Sequence, residues 1–229
     1  MSKTNDRPQP RLGRELARIR QELNGEAPNK RATPIDALQL ATRKWIDGER
    51  VEVGAIADEL GVARATMFRW VGSRELLLGE VIWSLCVALW DDSLRRARGT
   101  GADYVADLAH LVMDGILGTE PLRRFLDEDQ EYALRILTSK TSIVQSRIVA
   151  ETCKVLRNQH AAGHIAPTLE IESLAYLIVR VVESFVYSDH ISGRKPDIDI
   201  AREAIRILVA AKSADGPNPV SHLRRRRTK

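Results

Sequence analysis

Two arginines belong to a short predicted helix in the first third of the chain. Arg64 and Arg69 lie on or near the side of residues 64–70 that should stay exposed. An arginine guanidinium pairs best with the acceptor edge of guanine, and Ala65 beside them can touch a thymine methyl group. We therefore expect these three residues to meet base edges in double-stranded DNA.

A second group of side chains around this helix can hold phosphate groups. Thr66 carries a hydroxyl, and Arg74 carries a guanidinium that can pair bidentately with a phosphate. Trp70 keeps one N–H donor, whereas Phe68 has none. A local helix contact is the alternative for Thr66, and core packing is the alternative for the two aromatic residues.

Aromatic and polar residues further along the chain are candidates for a small-molecule site. Trp83 and Trp90 are seven residues apart on a predicted helix and share a face. Large apolar residues at this spacing are also typical of an ordinary core. The other candidates for an apolar cavity with a few polar groups are Tyr132, Arg135, Gln145, Arg180, Glu183 and Tyr187. Arg180 and Glu183 can instead pair with each other or reach across a subunit boundary.

The DNA-contacting residues need two crossing helices to position them. The pattern predicts one helix at 53–60 and a second at 64–70, with Gly61 relieving backbone strain where the first helix ends. The residues that can pack at the crossing are Ile56, Ala57, Leu60, Val62 and Met67. This is the helix-turn-helix pattern, whose second helix enters the major groove of DNA. Ordinary helical hairpins can show a similar apolar spacing.

The remaining sequence predicts further helices. Thr33 can cap the first of them, with Pro34 at its first position, and Ser73 can cap a long helix that runs to about residue 98. Helical periodicity continues to about residue 212, and no alternating stretch with hairpin turns indicates strands. We predict an all-α fold with an N-terminal three-helix, helix-turn-helix unit and a C-terminal helical ligand-binding and dimerisation domain. The predicted boundaries are a basic extension with a short helix at 1–32, the DNA-binding domain at 33–79, the ligand-binding domain at 80–212 and a disordered basic tail at 213–229.

The last two long helices predict a homodimer. Residues 169–186 are apolar on more than one face, and residues 200–208 carry a matching apolar stripe. One face can pack inside the subunit while the other meets a second copy, giving a four-helix interface. A monomer with an unusually buried helix is the alternative.

Charge is distributed unevenly along the chain. The net charge of +4 combines +4 at residues 1–32, +5 at 212–229 and −5 between them. Basic ends on an acidic body suit a protein that touches a polyanion at one side, although such ends can also be merely solubilising. Residues 34–74 hold six basic and six acidic side chains, so the N-terminal arginines can supply a positive field that this segment lacks.

Several other classes of protein are disfavoured. We find no transmembrane stretch and no secretory signal, and two widely separated cysteines suggest a reduced, cytoplasmic protein with buried thiols. No glycine-rich phosphate loop, nucleophile elbow or HExxH motif indicates an enzyme or a cofactor. His160 and His164 have a helical metal-ligand spacing, but no Cys or Glu ligand lies near them. A DNA-binding protein without a ligand remains a rival interpretation.

The segment 56–78, which reads IADELGVARATMFRWVGSRELLL, resembles the TetR family of repressors. The resemblance implies a dimer that binds a palindromic operator and is released by a small molecule, with a swing of the fourth helix changing the separation of the recognition helices. The sequence departs from the family where Phe68 replaces a usual tyrosine, Trp70 a frequent histidine and Arg74 a commoner lysine. Residues 68–83 are similar to the QsdR-type branch, which controls breakdown of lactone quorum signals. That similarity implies a γ-lactone or an acyl-homoserine lactone as effector.

Overall fold

The structure is a computed structural model that describes residues 32–139 and 141–210. Within these ranges it contains eleven helices and no β-strand, which confirms the predicted all-α fold. Residues 1–31 of the predicted basic extension, including the short helix expected there, and the basic tail at 213–229 lie outside the described residues.

Three short helices come first. They are α1 (Pro34–Ile46), α2 (Val53–Glu59) and α3 (Arg64–Val71). A capping box begins α1, because Thr33 Oγ1 accepts from the Asp36 backbone N–H and the Asp36 carboxylate accepts from the Thr33 backbone N–H at 2.8 Å. Ile35, an apolar residue in the first turn of α1, is 67% exposed. Position 35 lies opposite the face that Ala37 and Ala41 bury.

The crossing of α2 and α3 has the predicted construction. Ile56, Ala57 and Met67 are fully buried there. Gly61 adopts a φ of 64°, a left-handed conformation that glycine adopts without strain, and the chain turns at this point from α2 towards α3. The small side chain of Ala57 leaves room for the two short helices to approach closely.

One long helix connects this unit to the rest of the chain. Helix α4 (Arg74–Arg96) begins where the Ser73 hydroxyl accepts from the Leu76 N–H at 3.2 Å. Leu78, near its start, belongs to a hydrophobic cluster shared with the first three helices. Trp90, near its end, belongs to a second cluster formed with later helices. A rotation or tilt of α4 would therefore affect both cores.

Seven further helices complete the described chain. They are α5 (Gly101–Leu117), α6 (Glu120–Glu128), α7 (Gln130–Thr138), α8 (Ile143–Ala161), α9 (Ile171–Val186), α10 (Ser188–Ser192) and α11 (Ile198–Ala210). Helix α11 packs along α5, and α9 packs against α8 and α11. The short α10 was not expected from the sequence. Over the described ranges, no helix has both the length and the apolar character needed to cross a membrane.

Candidate nucleic-acid interface and apolar cavity

The outer face of α3 is formed by four exposed residues. Arg64, Ala65, Phe68 and Arg69 all point away from the core, and Met67 on the opposite side is fully buried. Phe68 is 49% exposed, so it lies on the outer face and not in the core that was its alternative placement. The helix therefore presents two guanidinium groups, a methyl group and an aromatic ring together.

The two exposed arginines make only weak contacts within the chain. Arg64 Nη2 lies 3.3 Å from Asp58 Oδ2, and both side chains are more than 60% exposed. Arg69 Nη2 donates to Thr66 Oγ1 at a long 3.4 Å. Exposed pairs of this kind contribute roughly 0–1 kcal/mol, so both guanidinium groups can exchange these partners for another ligand.

Arg74 and Trp70 are directed towards the interior. Arg74 Nε donates to the Val51 backbone oxygen at 2.8 Å and lies 3.4 Å from Glu52 Oε1. Its guanidinium carbon is 5.0 Å from the centre of the Tyr132 ring, within cation–π distance. Trp70 is half-buried against the first core cluster. A phosphate contact by Arg74 would require it to give up the Val51 carbonyl, because in this conformation it ties α4 to the α1–α2 loop and to α7.

A cavity of about 110 Å³ lies between α4, α5, α8 and α9. Its walls are almost entirely apolar. The α4 wall consists of Ile82, Cys86, Leu89 and Trp90, and the α5 wall consists of Val105, Leu108, Ala109, Val112 and Ile116. Periodicity predicts that this α5 surface is buried, but it does not indicate whether a buried face meets a neighbouring helix or a void.

Four of the predicted ligand-binding residues line this cavity. They are Trp90, Gln145, Glu183 and Tyr187. Arg180 does not line the cavity, but its Nη1 donates to Glu183 Oε2 at 2.6 Å. Gln145 Nε2 donates to Glu183 Oε1 at 3.3 Å, and in the flipped amide orientation its oxygen accepts from Arg180 Nη1 at 3.0 Å. Either orientation connects α8 to the charged pair on α9.

The other three predicted ligand-binding residues lie elsewhere. Trp83 stands beyond the edge of the cavity-facing stripe of α4 and lies under Arg147, whose guanidinium carbon is 5.5 Å from its ring centre. Tyr132 lines a separate cleft beside the α1–α2 loop, and Arg135 lies 5.2 Å from the centre of the Tyr132 ring. A shared helical face was therefore not enough to place Trp83 in the cavity, because Arg147 of α8 covers that part of α4.

Burial alters the acid–base properties of the cavity wall. Burial raises the pKa of Glu183, and the nearby Arg180 charge and the Gln145 hydrogen bond oppose that change. The pKa of Tyr187 is raised mainly by burial and further by the negative charge of Glu183. Burial also raises the pKa of the Cys86 thiol to about 11, which keeps it protonated and poorly reactive.

The cleft beside the α1–α2 loop contains a direct link between α1 and α6. Arg124 Nη2 donates to the backbone oxygens of Trp45 and Ile46, each at 3.2 Å, at the end of α1. Its Nη1 is held by Glu120 at 3.0 Å. A side chain at Gly48 would collide with this guanidinium, so the loop lies directly against Arg124.

The exposed sides of α9 and α11 carry apolar residues. Tyr176 and Leu177 of α9 are 50% and 39% exposed, and Ile200 and Ile207 of α11 are 59% and 58% exposed. Arg180 follows Leu177 along the same side of α9. The residue that pairs with Glu183 on the cavity wall thus stands on this exposed apolar face.

Within the described ranges, no group of three His, Cys, Asp or Glu side chains is placed so that it could hold a metal ion. His160 Nδ1 instead lies 3.0 Å from the Ile165 backbone oxygen, and His164 Nδ1 lies 3.2 Å from Gln159 Oε1.

A family model and solved structures of transcriptional regulators resemble this chain. Residues 100–210 match the family model described as the tetracyclin repressor-like C-terminal domain. The transcriptional repressor QsdR of R. erythropolis, from the TetR family, is 25% identical, and the match covers 80% of this chain and 97% of QsdR with a TM-score of 0.73. A TetR-family transcriptional regulator from Rhodococcus sp. is 18% identical over 81% of this chain and 100% of its own, with a TM-score of 0.44. No curated protein matches the chain significantly.

Proposed function

We propose that this chain, which has the fold of TetR-family regulators and carries their C-terminal domain, is a transcriptional repressor that a small effector releases from DNA. One observation carries the proposal. Helix α4 follows the exposed arginines of α3 directly and, further along, forms one wall of the apolar cavity. In this proposal residues 33–79 bind DNA, and residues 80–212 bind the effector and pair two subunits.

The outer face of α3 is the proposed reading surface. Arg64 and Arg69 would donate to guanine, and Ala65 and Phe68 would contact thymine methyl groups. Phe68 has no hydrogen-bonding group, so its exposed ring suits an apolar contact better than a phosphate contact. Thr66, Trp70 and Arg74 are the proposed phosphate contacts, joined by the basic residues of the 1–32 segment.

The apolar faces of α9 and α11 are the proposed dimer interface. Each subunit would contribute Tyr176 and Leu177 from α9 and Ile200 and Ile207 from α11 to a four-helix contact. Two α3 helices held one turn of DNA apart, about 34–36 Å, would read a palindromic operator. Burial of these side chains against a second copy would also remove large apolar residues from water.

The proposed release of DNA by an effector depends on the small size of the cavity. Its volume of about 110 Å³ is smaller than the ~300–1,000 Å³ that is common for ligand sites. A larger ligand must move a wall, and the α4 wall continues into the unit that carries α3. The proposed mechanism is a shift of α4 that changes the separation of the two recognition helices.

The proposed effector is a γ-lactone or an acyl-homoserine lactone. The resemblance of residues 68–83 to regulators of lactone breakdown favours this class, and so does the composition of the cavity, which combines apolar walls with a small polar end at Gln145, Glu183 and Tyr187. An acyl chain suits the walls, and a lactone ring with its carbonyl suits the polar end.

Selection from random double-stranded DNA tests the proposed function. We expect the full-length chain to enrich a palindrome whose half-sites are centred about one helical turn apart. Binding without enrichment of any sequence would overturn the proposal and favour a DNA-binding protein that acts without sequence preference. Binding at two salt concentrations during the same selection would measure the share of affinity that comes from phosphate contacts.

A further inference from the structure

Helix α10 is fastened to α6 and α7 through His190. The His190 Nε2 atom lies 3.0 Å from Asp127 Oδ1 of α6, and its Nδ1 atom lies 2.7 Å from Asp189 Oδ1 of α10 itself. Gln130 Nε2, at the start of α7, donates to the His190 backbone oxygen at 2.6 Å. The imidazole is thus held between two carboxylates, and its side chain is only 12% exposed.

This placement favours the doubly protonated form of the ring. A carboxylate only accepts hydrogen bonds, and a neutral imidazole has a single N–H to donate. Both contacts can therefore be hydrogen bonds only when the imidazole is positively charged. Burial alone would lower the pKa of His190, but the hydrogen bonds and negative charges of Asp127 and Asp189 outweigh burial and raise the pKa. Gln130, the contact from α7, is neutral.

The helices that His190 joins reach the cavity on one side and the DNA-binding unit on the other. Tyr187 lines the cavity and is the residue immediately before α10. On α6, Arg124 lies three residues before Asp127, so the two side chains share one side of the helix. Arg124 donates to the Trp45 and Ile46 backbone oxygens at the end of α1. A continuous series of contacts therefore runs from the cavity wall through α10 and α6 to α1, without passing through α4.

We propose that His190 is a positioning residue that, in its doubly protonated form, holds α10 to α6 and so couples the cavity to α1 by a second route. Loss of one proton leaves a ring that can keep only one of its two bonds. The bond to Asp189 is the shorter one and joins neighbouring residues, so the bond to Asp127 is the one released. The contact itself does not depend on the proposed function, whereas its effect on DNA rests on it.

The direction of the pH dependence follows from the raised pKa of His190. The joint between α10 and α6 is fully formed below the ordinary pKa of a histidine, and it is lost as the pH rises through the higher pKa of the folded chain. The second route is therefore closed on the acid side of neutrality and open on the basic side.

Nuclear magnetic resonance of the imidazoles in the full-length chain tests the protonation. Comparison with His190→Ala identifies the His190 signal among the five histidines. We expect the pKa of His190 to lie above its ordinary value and to fall in Asp127→Ala, because the acceptor and the charge on α6 are both lost. Glu128→Ala is the matched control, since it removes the next carboxylate along α6, which is exposed. The control should change the pKa of His190 far less than Asp127→Ala.

Hydrogen exchange followed by mass spectrometry tests the coupling, with variant and parent compared at the same pH. At about pH 6, His190→Ala should speed exchange about threefold or more in α10 and also at residues 45–50, which α6 contacts through Arg124. Asp127→Ala should act like His190→Ala, and Glu128→Ala should act like the parent. At about pH 8 the parent has itself lost the joint, so its difference from His190→Ala should largely disappear.

The outcomes separate this inference from the proposed function. A pKa of His190 at or below its ordinary value, faster exchange confined to α10, or an equal difference at both pH values would overturn the inference, because His190 would then at most stabilise its own helix. The repressor proposal would stand in that case, since α4 still connects the cavity to α3. Failure to enrich a palindrome, with the exchange pattern as expected, would instead remove the repressor proposal and leave the joint.

Discussion

Leu89 of α4 packs directly against the backbone of Gly115 in α5, where even a methyl group would overlap the leucine side chain. Leu89 also lines the cavity. No space for an added side-chain atom remains between α4 and α5 at this point. A ligand that enlarges the cavity next to Leu89 would therefore push these two helices apart.

Gly115→Ala should imitate the effector. The added methyl group forces Leu89 and α4 away from α5, so we expect operator affinity without ligand to fall about fivefold or more, within the usual range of allosteric coupling. Fluorescence anisotropy with labelled operator measures this. Overpacking should also lower the free energy of unfolding by about 1–3 kcal/mol. Gly118→Ala is the control, because a methyl group there lies 3.4 Å from its nearest neighbour. Parent-like operator affinity in Gly115→Ala would refute the role of this contact.

Arg64→Ala and Arg69→Ala should each weaken operator binding by about 1–3 kcal/mol and relax the sequence preference at one position of the half-site. The reason is the loss of a guanidinium that donates to a base edge. Gel-shift titration with the selected palindrome and with single-position variants measures both effects. Arg95→Ala is the control, since Arg95 is exposed at the far end of α4 and pairs with Asp92. If both variants bind the palindrome with parent affinity and preference, α3 does not read the bases through these residues.

Arg124→Gln should uncouple effector binding from DNA release. Arg124 bonds the carbonyl oxygens at the end of α1 from α6, whereas it takes no part in the cavity. We expect unchanged effector affinity by calorimetry, together with a weaker effect of effector on operator binding. The neighbouring Arg123→Gln is a suitable control, because Arg123 Nη2 donates to Leu117 O within the same part of the chain. Full release from operator in Arg124→Gln would show that the link between α1 and α6 is not needed.

Leu177→Glu and Ile207→Glu should convert the dimer to a monomer. Each change places a charge within the proposed contact, where burying it without a partner is strongly unfavourable. Light scattering coupled to size exclusion measures the mass. Ile191→Glu tests the general effect of a charge at an exposed isoleucine, since Ile191 lies on α10 and is 61% exposed. A parent chain that is already monomeric, or variants that stay dimeric, would place the interface elsewhere.

Local signals in the sequence were sufficient for the helices other than α10 and for the crossing of α2 and α3. Thr33, Gly61 and Ser73 act within a few residues of their own positions, so their roles can be derived without knowing the tertiary structure. The surroundings of Arg74 could not be derived in this way, because they combine a carbonyl from the α1–α2 loop with the Tyr132 ring of α7.

The cavity was harder still to predict. Its wall on α4 includes Leu89 and Trp90, whereas Trp83, two turns earlier on the same face as Trp90, lies under Arg147. Packing of α4 against α5 and α8 together sets which part of a helical face meets the cavity. Polar and aromatic candidates were equally good guides, since two of the four predicted residues of each kind line the cavity.

The most direct test follows both ends of α4 in one titration. N-hexanoyl-homoserine lactone is added to the full-length chain bound to its selected operator, while tryptophan fluorescence and operator anisotropy are recorded together. Of the four tryptophans, all within the described ranges, Trp90 alone lines the cavity, so its environment should report occupancy. We predict that both signals change with the same midpoint, as expected if filling the cavity releases the DNA. A fluorescence change with no loss of anisotropy would contradict the account, because the cavity would then be occupied without controlling the DNA-binding unit.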